Sequence, residues 1–184
     1  MSPREAALAF LTAPEQVTAE TISAGGWVER SFSGGLDALP ESIVFVKERH
    51  LPKRAACTVR FTDSQGMKKR FTVSLTQADD GVWRVMGGAG GSAEDPPEHA
   101  STRGHPWANL GGGGWPRQFY AGGAIEEDNG IALVSLRSAN GVELEDTVET
   151  GEVIFLTDDV VQTPIEVDLY DGAGNLVGRH TAFD

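Results

Sequence analysis

Two stretches in the first half of the chain alternate apolar and polar residues with a period of two. Their apolar positions are Cys57, Val59 and Phe61 in the first stretch and Phe71, Val73 and Leu75 in the second. This period places the apolar side chains on one face of a β-strand and the polar side chains on the other. The turn-forming residues 63–66 between the stretches indicate a hairpin. We therefore predict an antiparallel meander with Cys57 in its core as a buried, inert thiol.

A helix is predicted at the start of the chain, where Ser2 and Glu5 have the spacing of a capping box with a proline between them. It should cover about residues 3–12 and end before the next proline, because a residue that precedes proline avoids the helical region. A second, weaker helix is expected over residues 15–22. Residues 1–86 are thus expected to form an α+β unit, with one or two short helices over the meander.

Strand signals recur at close spacing in the last third of the chain. Asn129-Gly130 and Asn140-Gly141 are typical of tight hairpin turns, because both residue types tolerate a positive φ. Strands are expected at residues 118–125, 131–137, 153–157, 165–170 and 176–181. We predict that residues 118–184 form an antiparallel β-sandwich, immunoglobulin-like in architecture but without the paired cysteines of that fold. The whole chain is therefore expected to be mainly β.

Residues 87–117 break this periodicity, since they are dense in glycine and proline. We interpret them as a linker or docking loop between two modules, because so long a stretch without strand or helix signals is unusual inside one compact domain. Four aromatic residues lie in or next to it: Trp107, Trp115, Phe119 and Tyr120. We expect these rings to pack on a neighbouring sheet or, if exposed, to contact a partner.

The charge of the chain is unevenly distributed and limits its partners. The net charge is −12; residues 1–92 carry 11 Lys+Arg and 10 Asp+Glu, whereas residues 93–184 carry 4 Lys+Arg and 17 Asp+Glu. An acidic half repels phosphate backbones, so we expect no nucleic-acid partner. The basic triplet 68–70 is interpreted as the solvated rim of a hairpin. No apolar run approaches the roughly 20 residues that span a bilayer, so we expect a soluble, cytoplasmic protein with no membrane partner unless a leader precedes it.

No motif in the sequence predicts a catalytic site, a metal site or a cofactor. Residues 88–93 match the dinucleotide-binding pattern G-x-G-x-x-A, but Asp95-Pro96-Pro97 prevents the helix on which that motif depends. Metal-binding residue types cluster in the same region without a defined ligand spacing: Glu94, Asp95, Glu98, His99 and His105. We therefore assign no catalytic residue, no metal and no cofactor.

Three functional hypotheses remain open on the sequence alone. The favoured one is a non-catalytic binding or structural protein that uses a β-sandwich surface or sheet edge for protein contacts or self-association. The second is a small-molecule pocket in the N-terminal unit, lined by Phe10, Phe61, Phe71 and Trp83. A hydrolase-type enzyme is the least favoured, since it would need a cleft that holds a histidine beside a carboxylate.

Overall fold

A computed structural model of the chain describes residues 1–15, 18–93, 106–126 and 130–184. The chain divides into two compact units, Met1–Ala93 and Glu94–Asp184. Most of the described chain lies in antiparallel strands, which confirms the mainly β class. The cluster of metal-binding residue types, Glu94, Asp95, Glu98, His99 and His105, to which no metal was assigned, lies outside the described residues.

The described part of the first unit contains one α-helix, one short 3-10 helix and six strands. These elements are α1 (Pro3–Thr12), β1 (Thr18–Ala24), β2 (Trp27–Ser33), the 3-10 helix (Pro40–Ser42), β3 (Val44–Leu51), β4 (Arg54–Thr62), β5 (Lys68–Gln77) and β6 (Trp83–Ser92). The strands form one sheet in the order β1-β2-β6-β5-β4-β3. The β3–β6 strands are the predicted meander, and a single residue pair, Phe32 with Val85, joins β2 to β6.

Helix α1 begins with the predicted capping box. The Ser2 hydroxyl accepts a hydrogen bond from the Glu5 amide at 3.2 Å, and the Ser2 amide donates to the Glu5 carboxylate at 2.6 Å. Both bonds satisfy amides that have no partner within the helix. The helix buries Phe10 and Leu11 in a cluster that also holds the apolar faces of β4 and β5. The predicted helix bounds are confirmed.

Cys57 lies in this cluster, as the alternation predicts. It is buried and makes no disulfide. Burial disfavours the thiolate and raises the pKa of Cys57 to about 12. The thiol is therefore protonated at neutral pH, which makes it a poor nucleophile.

The helix predicted over residues 15–22 is wrong, because strand β1 begins at Thr18. Its β-branched residues favour an extended backbone, and the following two glycines adopt positive φ, at 59° for Gly25 and 81° for Gly26. These angles are those of a tight hairpin turn, which joins β1 to β2. The turn thus decides the local structure in favour of a hairpin.

Both ends of the region interpreted as a linker are strands. Residues 87–92 continue β6, and residues 107–113 form β7 of the second unit. The ring of Phe71 lies over the glycines of β6: a β-carbon placed on Gly88 would be 2.1 Å from Cε1 of that ring. Glycine is needed there so that the neighbouring aromatic side chain can cover the strand.

In the described residues of the second unit, seven strands form two antiparallel sheets. The strands are β7 (Trp107–Gly113), β8 (Tyr120–Glu126), β9 (Ile131–Ser138), β10 (Glu143–Thr147), β11 (Glu152–Leu156), β12 (Ile165–Asp171) and β13 (Leu176–Phe183). The sheet orders are β10-β9-β12-β13 and β11-β8-β7. Residues from both sheets contribute to one buried cluster, which includes Phe119, Val134 and Val167.

Candidate functional site

The four aromatic residues singled out near the glycine-rich region have different surroundings. Phe119 and Tyr120 are buried, so neither ring offers a surface to a partner. Trp107 stacks on His180 with 3.7 Å between ring centroids. Trp115 is the most accessible, at 42% exposure, and its ring packs at 5.5 Å from the ring of Phe183. The second unit thus uses most of this aromatic surface for its own packing.

The four aromatic residues predicted to line a pocket in the first unit belong to one hydrophobic cluster, but they do not all line one cleft. Phe10 and Trp83 line one cleft, between α1 and the neighbouring ends of β2 and β6. Phe61 is buried in the core, and Phe71 covers the glycines of β6. Phe10 and Trp83 therefore share this cleft, whereas Phe61 and Phe71 do not line it.

The cleft beside α1 has a volume of about 380 Å³. Helix α1 and its C-cap contribute Ala6, Ala9, Phe10 and Ala13, and the strands contribute the apolar Phe32, Trp83 and Val85. Polar side chains, among them Glu20, Ser31 and Arg84, also line the cleft. The small alanine side chains leave room beside the larger rings. Arg84, at its border, forms an ion pair of 2.8 Å with Asp80. A cleft of this size with mainly apolar walls suits a small, largely apolar molecule.

In the second unit, the edge strands of one sheet form hydrogen bonds with the edge strands of the other sheet. The carbonyl of Ala108 in β7 accepts a hydrogen bond from Nε2 of His180 in β13 at 3.1 Å. Between the other two edges, the carboxylate of Asp146 in β10 accepts from the Ile154 amide in β11 at 2.7 Å. These contacts occupy edge groups that a partner strand would need.

The two edges of the first sheet differ in their protection. Strand β3 carries a register shift between Phe45 and Lys47, followed by a run of charged residues. Bulges and charges of this kind prevent a second strand from pairing. Strand β1 has neither: its seven residues pair with β2 without a shift, and Glu20 is its one charged residue. Residues 18–21 and Ser23 are exposed.

The backbone groups of β1 that point away from β2 follow from the hairpin register. Residues that face each other in an antiparallel pair alternate between hydrogen-bonded and non-hydrogen-bonded positions. Ala24 and Trp27 close the two-residue turn and are therefore a hydrogen-bonded pair. Ala19, Thr21 and Ser23 lie at the alternate positions, so their N–H and C=O groups point outward.

Asp79 forms hydrogen bonds with the outward groups at one end of β1, at Ser23, and with the turn that follows. Its amide donates to the Ser23 carbonyl at 3.0 Å, and its carboxylate accepts from the Ser23 hydroxyl at 2.7 Å and from the Gly25 amide at 2.9 Å. These bonds favour the carboxylate and lower the pKa of Asp79, with the Ser23 hydroxyl as the largest cause. Within the described ranges, no hydrogen bond to the outward backbone groups of Ala19 or Thr21 is formed. An open stretch of edge remains.

Sequence reasoning missed this edge because it assigned the segment to a helix. The signal that could have found it is the combination of β-branched residues at Thr18, Thr21 and Ile22 with the glycine pair that follows. An edge position itself depends on the order of strands in the sheet, which local sequence does not encode.

The described residues contain no group of three or more His, Cys, Asp or Glu side chains arranged to hold a metal ion. Among the described residues, Nε2 of His50 lies 3.2 Å from the carboxylate of Glu48, and both side chains are partly exposed. No helix among the described residues has the length and apolar character needed to cross a membrane.

Comparisons of the chain with protein-family models, curated proteins and solved structures find no match. The geometry and chemistry of its own residues are therefore the basis on which a function can be proposed.

Proposed function

We propose that the protein is a non-catalytic binding module that captures an extended segment of a partner polypeptide at β1. The partner segment would add a seventh strand to the six-stranded sheet. The observation that carries the proposal is the exposed, unshifted β1 edge, with the outward backbone groups of Ala19 and Thr21 open to a second strand. Backbone hydrogen bonds supply affinity in this mode, and alternate side chains supply specificity.

Charge favours a cationic partner segment over a second copy of this chain. Two copies paired antiparallel about the centre of the open stretch, residues 19–21, would place Glu20 directly opposite Glu20, and like charges in such a pair are destabilising. A Lys or Arg opposite Glu20 would be stabilising instead. The excess of acidic over basic residues in the second half of the chain would also accelerate the encounter with a cationic partner.

For the second unit we propose an immunoglobulin-like arrangement. The support is a four-stranded and a three-stranded antiparallel sheet over one core, in the orders β10-β9-β12-β13 and β11-β8-β7. The only cysteine of the chain, Cys57, lies in the first unit, so the inter-sheet disulfide of antibody domains has no counterpart. The mutual covering of its sheet edges suits a rigid body better than a strand-binding site.

A proline at position 21 tests the strand-addition proposal. The probe is a seven-residue peptide of alternating threonine and valine with a central lysine, titrated by isothermal calorimetry. Thr21→Pro removes an outward amide, so we expect at least tenfold weaker binding, about the value of one lost hydrogen bond plus a steric clash. The matched variant Thr21→Val keeps the amide and should change the affinity less than twofold.

Several outcomes of this experiment would contradict the proposal. It is wrong if the peptide does not bind, if Thr21→Pro binds it as well as the wild type, or if a central glutamate serves as well as lysine. Analytical ultracentrifugation provides a further check. If the free chain forms a dimer and Thr21→Pro dissociates that dimer, the β1 edge binds a second copy of this chain and not a partner segment.

The cleft beside α1 supports a second candidate function, the binding of a small apolar molecule. Indole and 1-naphthol are suitable probes. Their binding is measured as the change in protein fluorescence that the wild type shows and the Trp83→Phe variant, which lacks the tryptophan of the cleft, does not. Ala9→Phe fills the cleft and should weaken binding at least tenfold. Leu8→Phe is the control, because Leu8 is exposed and does not line the cleft. Equal binding by the wild type and Ala9→Phe would exclude the cleft as the site.

A further inference from the structure

The cleft beside α1 combines aromatic walls with few charged groups. The rings of Phe10, Phe32 and Trp83 belong to its lining. Among the described residues that line it, two have a charged side chain, Glu20 on β1 and Arg84 on β6. A charge beside an apolar cleft selects the ligand as strongly as the shape of the cleft does, because a like charge on the ligand is repelled. The partners of these two side chains therefore decide which class of ligand the cleft accepts.

The positive charge of Arg84 is compensated within its own turn. Its Nη2 lies 2.8 Å from Oδ2 of Asp80, and its Nη1 lies 3.4 Å from Oδ1 of the same carboxylate. Asp80 also accepts a hydrogen bond from the Val82 amide at 2.9 Å. This amide is the largest cause of the lowered pKa of Asp80, and Arg84 acts in the same direction. Asp80 is ionised at neutral pH, so Arg84 offers little attraction to an anionic ligand.

The terminal ammonium of Met1 is compensated in a similar way. Met1 also lines the cleft. The pKa of the Glu5 carboxylate is lowered by the Ser2 amide, the Ser2 hydroxyl and the Met1 ammonium, in that order. The ammonium thus has a carboxylate close to it, and the two charges offset each other.

Glu20 is different, because its charge is not compensated. Within residues 1–15, 18–93, 106–126 and 130–184, its carboxylate forms no hydrogen bond and no ion pair. The residue directly opposite in the β1–β2 ladder is Ser31, so the nearest cross-strand neighbour on the same face is an uncharged hydroxyl. Glu20 is exposed and lines the cleft. The cleft therefore has aromatic walls and one uncompensated negative charge.

We infer that the cleft beside α1 binds an aromatic amine, with the ring against Phe10, Phe32 and Trp83 and the ammonium group beside Glu20. The inference rests on the proposed binding of a small molecule in this cleft and specifies the charge of that molecule. Contacts between aromatic rings supply most of the affinity. The ammonium adds attraction to the carboxylate, which water reduces because Glu20 is exposed.

Three ligands with the same indole ring and side chains of similar length test this inference by isothermal calorimetry. Tryptamine ends in an ammonium, tryptophol in a hydroxyl and indole-3-propionate in a carboxylate. We expect tryptamine to bind about three- to fivefold more tightly than tryptophol, the range of an exposed ion pair. Indole-3-propionate should bind more weakly than tryptophol, because Glu20 repels it. Added sodium chloride should reduce both differences.

Two charge-removing variants identify the carboxylate that is responsible. Glu20→Gln should bring the affinity for tryptamine to within twofold of that for tryptophol, and should change the affinity for tryptophol itself less than twofold. Glu41→Gln is the matched control, because Glu41 is exposed and does not line the cleft, so it should leave the preference for tryptamine intact. Both residues lie on the surface, so both variants should fold, and circular dichroism verifies this.

Failure of the inference and failure of the cleft as a binding site give different results. If tryptophol binds, Ala9→Phe weakens it and tryptamine binds no more tightly, the cleft is a site but the inferred charge selection is wrong. The inference is also overturned if Glu20→Gln retains the preference for tryptamine. If none of the three ligands binds, the proposed function of the cleft and the inference are both wrong.

Discussion

Replacement of Phe119 by alanine is expected to lower the free energy of unfolding by about 3–5 kcal/mol. The side chain is fully buried at the centre of the second unit. Its ring lies edge-on to Phe183 at 5.9 Å and tilted to Trp115 at 6.4 Å between centroids. Truncation removes these contacts and leaves a cavity that β-strands cannot close without breaking their ladders.

Urea denaturation followed by circular dichroism measures this effect. Trp115→Ala is the control, because Trp115 is 42% exposed and its truncation should cost far less than that of Phe119. A change below 1 kcal/mol for Phe119→Ala would mean that the ring does not occupy the centre of the core. A loss for Trp115→Ala as large as for Phe119→Ala would lead to the same conclusion.

Replacement of Asp168 by asparagine is expected to cost about 2 kcal/mol at neutral pH. Asp168 is a buried residue on β12 whose carboxylate accepts from Nη2 of Arg179 at 2.9 Å and from Nη2 of Arg137 at 3.2 Å. Both arginine side chains are partly exposed, so solvent reduces the interaction below that of a fully buried pair. Asparagine keeps the size of the side chain but loses its charge.

The destabilisation caused by Asp168→Asn is expected to depend on pH. The Arg179 hydrogen bond is the largest cause that lowers the folded-state pKa of Asp168, and Arg137 and the Tyr170 hydroxyl act in the same direction. A lowered pKa contributes stability above the pKa of the unfolded chain, and this contribution is lost as the pH falls through the folded value. The difference in the free energy of unfolding between the wild type and Asp168→Asn should therefore be largest at pH 7 and should decrease steadily below about pH 4.

Urea titrations at several pH values test this sign. Glu166→Gln serves as a control on the same strand, because its carboxylate is on the surface and accepts only from the Thr181 hydroxyl among the described side-chain hydrogen bonds. A destabilisation by Asp168→Asn that stays constant from pH 7 to pH 3 would contradict the electrostatic explanation and indicate a packing effect.

Local sequence predicted those elements whose stabilising interactions are close along the chain. The capping box of α1 involves residues three apart, and the alternation in β4 and β5 needs only a short turn between two strands. Each of these signals is complete within about twenty residues. The same reasoning placed Cys57 in the core, where the structure has it.

Predictions from local sequence were wrong where the conformation of a segment depends on a neighbouring strand. The glycines of β6 indicate a flexible linker when considered alone, yet they form a strand because the Phe71 ring lies over them. The segment 18–24 contains residues that a short helix tolerates, but the turn at Gly25 and Gly26 pairs it with β2. In both cases the deciding partner lies on another strand.

The chain by itself therefore determined the mainly β class, the first helix, the central hairpin and the uneven charge, because periodicity, caps and composition are properties of consecutive residues. Tertiary structure alone decided which strand became an open edge, that Phe10 and Trp83 share a cleft, and that Glu20 lines the same cleft. The physical reason is that sheet order and strand register depend on the burial of whole apolar faces, and this burial is optimised between elements that are distant along the chain.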